Sequence, residues 1–220
     1  MLPNKTDNHY MLFFKQYKWL LPLLSFNIAL VIIRMIRTQS IDFVFIPWNL
    51  FLAGIPLLFA YWLVNIQDKR TAWGTFCLWL LFFPNAMYIV TDLFHLHEYE
   101  KVPQWFDLLL LFSAALNGVL MGMASLRNAE KFLRKNIPAK LMPYTVYGLF
   151  LLCGYGIYLG RYMRWNSWDI VAQPFGLLLN IAHDIHHPLH NTQSWMLTGL
   201  FATWLFILYK YASQIIVKRH

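Results

Sequence analysis

Charge is what this sequence has least of. Only 13% of its 220 residues are Asp, Glu, Lys or Arg, about half the share of an ordinary soluble domain. That is too little to coat a water-soluble globule of this length. Cysteine is scarce as well. Cys77 and Cys153 both fall inside apolar blocks with no CxxC spacing, which excludes a disulfide scaffold or a thiolate metal site and leaves two small packing residues. No G-x-S-x-G, Walker-type loop, dinucleotide fingerprint, haem motif or H-E-x-x-H occurs, so any catalysis would rest on Asp, Asn, Arg and His side chains. There is no low-complexity tract and no convincing inverted repeat.

The net charge of +8 raises the question of nucleic acid. The basic residues instead flank apolar blocks, as topology signals do, and no soluble basic stripe interleaves with aromatics. Nucleic acid is therefore not an expected partner; the lipid bilayer is.

What the chain does have is long apolar runs, with 59% hydrophobic and 18% aromatic residues. Their lengths predict an all-α membrane protein of six transmembrane helices. The spans are expected near 17–36, 46–65, the stretch after Asp68-Lys69-Arg70 through 98, 105–126, 141–160 and 195–217. Residues 1–16 form an arm, 17–217 one multi-pass domain and 218–220 a tail. The first block follows Lys15 and Lys18 without an A-x-A site, so it reads as an uncleaved span. The apolar piece 170–182, broken by Gln173-Pro174, is too short to cross and predicts a re-entrant or interfacial helix before the last span.

Six spans divide Lys and Arg unevenly. Lys5, Lys15, Lys18, Lys69, Arg70, Arg127, Lys131, Arg134, Lys135, Lys140, Lys210, Lys218 and Arg219 share one side, and Arg34, Arg37, Lys101, Arg161 and Arg164 the other. The richer side is expected to be cytoplasmic, with both termini there, in a cell (inner) membrane. A crossing at 170–182 would nearly erase the asymmetry.

On the outer side the polar residues concentrate. Asn85, Tyr88, Asp92 and His95 recur at helical spacing toward the end of the third span, a row that should look into the protein or a watery cavity. The alternative is that Asn85 and Thr91 join neighbouring helices while Asp92 marks the membrane surface. Arg161 and Arg164, three apart at the end of the fifth span, present forked donors suited to a phosphate or carboxylate. Trp165 and Trp168 belong at headgroup depth. The competing reading is an ordinary Trp/Arg belt with Arg161 paired to Asp92 for stability.

A second cluster, His183-Asp184-Ile-His186-His187-Pro-Leu-His190, contains ligand types for a divalent metal at His183, His187 and His190, with His95 and His97 as further ligands. A solvated loop is the alternative, since Pro188 interrupts the helix. Gly118 and Gly122 in the fourth span and Gly156 and Gly160 in the fifth form small-residue faces for close helix contact, within the chain or with a partner.

Three stretches carry a family resemblance: Asn49-Leu-Phe-Leu-Ala-Gly-Ile-Pro56; Phe83-Pro84-Asn85-Ala86 through Tyr88, Thr91-Asp92 and His95; and Gly160-Arg161 through Arg164-Trp165-Asn166-Ser167-Trp168-Asp169. The sequence resembles the bacterial integral-membrane family domain of unknown function 1361. The resemblance implies a multi-pass bacterial membrane protein and brings no assigned activity; the cluster at 183–190 has no counterpart in it.

The expected function is recognition or processing of an anionic envelope-lipid or sugar-phosphate group at the outer face. In that reading Arg161 and Arg164 hold the anion, Asp92 orients it or acts as a base, and Asn49, Asn85, Tyr88, His95, Asn166 and Asp169 complete the site. A transporter and a non-catalytic partner in a membrane complex are the rivals. The topology is open to direct test. With Cys77 and Cys153 removed, an impermeant thiol reagent added to whole cells should label Asn191→Cys and spare Lys131→Cys. The reverse pattern would invert the map.

Overall fold

In lipid a backbone can satisfy its polar groups only within a helix or a closed barrel, and here every long element is helical. A computed structural model describes residues 5–96, 101–187 and 191–217. The elements are α1 (Lys5–Tyr17), α2 (Leu21–Thr38), α3 (Phe45–Asn65), α4 (Lys69–Tyr88), α5 (Gln104–Asn136), α6 (Met142–Tyr162), the short α7 (Asp169–Ala172), α8 (Pro174–His186) and α9 (Thr192–Val217). No strand occurs among the described residues.

Among those residues, five helical stretches are long and apolar enough to cross a membrane: Met11–Thr38, Phe45–Asn65, Lys69–His95, Gln104–Asn136 and Ala139–Tyr162. The sixth expected crossing coincides with α9, which packs along α6 but is not one of these five. The expected arm is partly helix, because α1 begins at Lys5 and runs through a 3-10 turn into α2. Residues 127–136, expected as a basic loop, continue α5. Their helix persists because one face is buried: Phe132 packs its ring 5.1 Å from Trp73 and 5.8 Å from Phe76. On the other face Glu130 pairs with Arg134 one turn on.

α4 is the helix the others are arranged around. Asp68 caps it, accepting bonds from the Thr71 backbone N–H at 2.7 Å and hydroxyl at 2.6 Å, and these hold its carboxyl below the usual range. Trp79, Phe83 and Met87 enter one core with α5, α6 and α9. Ala86, together with Ile89 just beyond the end of α4, enters a second core with α1, α2, α3 and α5.

Between the two cores the approach is close. A Cβ on Gly118 would stand 2.4 Å from the Ala86 carbonyl oxygen, and one on Gly122 2.5 Å from Met87. From α6, a Cβ on Gly156 would stand 2.7 Å from the Pro84 ring, and one on Gly160 3.2 Å from the Tyr88 ring. The glycine faces thus meet α4 within this chain. Gly154, in turn, lets the Thr198 backbone of α9 approach α6.

α2 is joined to α5 by polar contacts, which hold helices in lipid where hydrophobic driving force is weak. Asn27 donates to the Leu110 carbonyl at 2.9 Å and Asn117 to the Leu23 carbonyl at 3.2 Å. Arg34 lies fully buried against Asp107, with contacts of 2.8 and 3.1 Å, over the Phe43 ring at 3.5 Å. The sequence reading had Arg34 as a boundary charge. Buried pairs are often no better than an apolar substitute, yet breaking one by removing a single partner costs about 3–5 kcal/mol.

The glycine contacts predict a contrast. Gly118→Ala should destabilise the purified protein by about 1–3 kcal/mol, since the obstructing atom is backbone. Gly148→Ala, where nothing lies within 4 Å, should be neutral or stabilising by about 0.5–1 kcal/mol, as alanine is the better helix former. Thermal unfolding of the two variants in the same detergent checks it.

Candidate functional site

Pro84 has no N–H to offer the turn before it, and its ring crowds the carbonyl four residues back. The α-helix of α4 persists to Tyr88 and then tightens into a 3-10 helix over Ile89–His95. Residues three apart eclipse in that geometry. Asp92 and His95 therefore stay on the side set by Asn85 and Tyr88, although a uniform α-helix was expected. Thr91 turns the other way, buried, with its hydroxyl donating to the Tyr88 carbonyl at 2.7 Å.

These four side chains line a cavity of about 500 Å³. α4 forms its back; the first turns of α3 (Phe45, Trp48, Asn49, Leu52) and the last turns of α6 (Gly156, Leu159, Gly160, Arg161) contribute the walls. Trp165, Asn166, Ser167, Trp168, Ile170 and Leu177 complete it.

That last segment returns toward α4 because α6 stops abruptly. Arg164 takes a left-handed backbone at φ 59°, uncommon for a side chain of its size, and the Trp165 N–H then bonds back to the Leu159 carbonyl at 3.1 Å. Ser167 is carried onto the proline-bearing turn. Its hydroxyl donates to the Leu81 carbonyl at 3.2 Å and accepts from Asn85 Nδ2 at 3.1 Å. Asp169 steadies the turn by accepting from the Asn166 backbone N–H at 2.7 Å.

Asp92 is 1% exposed and uses both carboxylate oxygens. Asn49 Nδ2 donates to one at 2.8 Å, and Arg161 Nη1 lies 3.4 Å from the other. The same Nη1 is 3.4 Å from the Tyr88 hydroxyl, and Nη2 is 3.1 Å from His95 Nδ1. The guanidinium carbon also lies 5.8 Å from the Tyr88 ring centroid and 5.4 Å from that of Phe94. Its contacts with Asp92 and Tyr88 are long for charge-assisted bonds, which run about 2.7–2.9 Å. Arg161 is thus oriented from behind while its side chain remains 15% exposed toward the cavity.

Of the residues the sequence singled out, Asn49, Asn85, Tyr88, Asp92, His95, Arg161 and Asn166 come together here. Asp169 supports Asn166 from outside the lining. Arg164 does not join them: α6 ends at Tyr162, the left-handed residue is exposed, and the two arginines do not share a helical face. Phe45, Trp48 and Ser167 belong to the cavity, and the sequence reading gave them no role in a site. Their only signal was proximity, Trp48 beside Asn49 and Ser167 inside the Trp165–Asp169 motif.

The histidine cluster divides. His183 on α8 and His187 just after it are exposed neighbours, ring centroids 4.9 Å apart. Asp184 faces inward, accepting from Tyr155 at 2.9 Å and Asn191 at 2.8 Å. No group of three or more His, Cys, Asp or Glu suited to a metal occurs among the described residues. His97 and His190 lie outside them.

Comparison with known proteins gives one family. The model described as protein of unknown function (DUF1361) matches residues 48–208, a stretch containing every described residue of the cavity from Trp48 onward. No curated protein and no solved structure matches the chain.

The Asp92–Arg161 arrangement predicts non-additive damage. Asp92→Ala leaves a largely buried guanidinium and the Asn49 amide without their acceptor, and should lower stability by about 2–4 kcal/mol. Adding Arg161→Ala should restore part of that loss. A double-mutant cycle by thermal unfolding measures the coupling, expected at about 1–3 kcal/mol; additive losses would mean the two side chains act independently.

Proposed function

We propose that this chain, which belongs to the domain of unknown function 1361 family, recognises a phosphate-class anionic group at the outer face of a bacterial inner membrane. The observation carrying the reading is Arg161: a guanidinium fixed by Asp92, His95 and Tyr88, yet turned into a cavity large enough for a headgroup. A planar fork already held in place loses little freedom when it binds an oxyanion. Asn85 and Asn166 add amide donors, and Trp48, Trp165 and Trp168 add flat apolar walls of the kind that accept a sugar or glycerol moiety.

Asp92 acts here as an orienting group. It is buried, and its two oxygens already face the Asn49 amide and the Arg161 guanidinium, which suits it to holding those donors more than to taking a proton from a ligand. The reading is therefore recognition, and a chemical step on the bound group is not part of it. Transport gains less support, because the lining comes from one end of α3, α4 and α6 and from the segment after α6. A partner protein docked on Gly118, Gly122, Gly156 and Gly160 likewise gains less, since α4 meets all four.

The same proposal takes α9 as a sixth crossing, with residues 17–217 as one membrane domain and both short termini cytoplasmic. The Lys/Arg asymmetry supports it, as does α8, which at 13 residues spans about 20 Å, short of a bilayer core of about 30 Å.

Ligand-dependent stability tests the function. Phosphatidic acid or inorganic phosphate at a hundredfold excess over its Kd should stabilise the detergent-purified protein by about 2.7 kcal/mol. Phosphatidylcholine should not, and Arg161→Gln should abolish the effect. An unchanged shift in Arg161→Gln would put the anion elsewhere.

A further inference from the structure

We infer that the anion is carried by a membrane lipid, which reaches Arg161 sideways from the bilayer with its acyl chain left along the outer face of α3. This rests on the reading of Arg161 as an anion site and adds where the ligand comes from. The cavity mouth carries the argument. Trp48 lines the cavity and is still 53% exposed; Trp168, from the segment after α6, lines it and is 43% exposed. Trp48 is also the first member of an exposed stripe on α3 that continues through Phe51, Leu58 and Trp62 at helical spacing. It stacks on Phe51, with ring centroids 5.6 Å apart, and Phe51 is 61% exposed.

α3 is one of the stretches apolar enough to cross a membrane, and such a stripe is its lipid-facing side. The cavity mouth therefore opens beside lipid, and its two indoles belong at headgroup depth. Charge is arranged to match. Arg161 lies toward the outer end of the cavity with Asp92 and His95, while Leu52, Leu81 and Gly156 line the part nearer the membrane centre. A phosphate-headed lipid satisfies both ends, with head at the guanidinium and glycerol between Trp48 and Trp168. The chain then passes down over Phe51. A soluble phosphate ester would use only the first of these features.

The test uses full-length protein in phosphatidylcholine nanodiscs containing phosphatidic acid with a photoreactive diazirine in its acyl chain, beside binding of short-chain phosphatidic acid and of glycerol 3-phosphate in detergent. Cross-links should map to the Trp48–Phe51–Leu58 stripe and fall at least about tenfold in Arg161→Gln, the effect of losing a charge-assisted headgroup contact. Short-chain phosphatidic acid should bind at least about tenfold more tightly than glycerol 3-phosphate, from burial of apolar chain. Phe51→Ala, on the stripe outside the cavity lining, should weaken only the lipid, and Phe51→Leu should restore most of that binding. Melting curves of each variant separate lost binding from lost folding. Equal binding of the two ligands, unaffected by Phe51→Ala, would mean access from water and overturn the inference while leaving the anion site intact. Cross-links spread over all outer faces and indifferent to Arg161 would also overturn it, as ordinary surrounding lipid. If neither ligand binds the parent protein, the anion site and this inference fall together.

Discussion

The turn of α4 from Pro84 to Tyr88 is gripped from two sides by glycines, and the rest of the structure depends on that grip. Gly118 and Gly122 of α5 admit the backbone and Met87 from one direction; Gly156 and Gly160 of α6 admit the Pro84 and Tyr88 rings from another. In lipid, where apolar surfaces gain little by leaving their solvent, such close approach is a principal means of holding helices together. It fixes the proline-bearing helix as the back of the cavity. It also sets the end of α6 near enough for Arg161 to reach Asp92, His95 and Tyr88 at once.

Two polar systems then occupy the same end of the bundle with different consequences. Arg34 and Asp107 are fully buried and close, a fastening between α2 and α5. Arg161 and Asp92 are farther apart, and the arginine keeps an exposed edge in a cavity. The first pair is closed off by burial. The second turns a guanidinium edge into open space, which distinguishes a ligand site from a brace. Pro84 inside α4, the 3-10 segment and the left-handed Arg164 lie around the second pair. All three depart from regular helix, as sequences do where a function competes with ideal geometry.

Much of this could be read from the sequence because membrane burial makes polar residues conspicuous. Asn85, Tyr88, Asp92 and His95 announced a shared side by spacing alone, and the topology placed Arg161 at their depth. The shift to a 3-10 helix left that side intact, since a period of three keeps Asp92 under His95. The features missed are tertiary. Nothing local reveals that Arg164 turns left-handed, or that Ser167 folds back onto the Leu81 carbonyl. The Arg34–Asp107 pair spans 73 positions, so Arg34 reads from the sequence as a boundary charge and Asp107 draws no reading at all. The helical continuation of α5 was hidden by its charge, because Ala129, Phe132 and Leu133 bury one face among many basic residues.

The central claim is that Arg161 holds an oxyanion in the cavity. Its most direct test is a solid-state NMR measurement of nitrogen–phosphorus dipolar coupling, on protein with labelled arginine side chains in bilayers containing phosphatidic acid. One guanidinium is expected within about 4 Å of phosphorus, the reach of an N–H···O–P hydrogen bond, with its signal absent from Arg161→Gln. A coupling that persists unchanged in Arg161→Gln, or no coupling at any arginine, would contradict it.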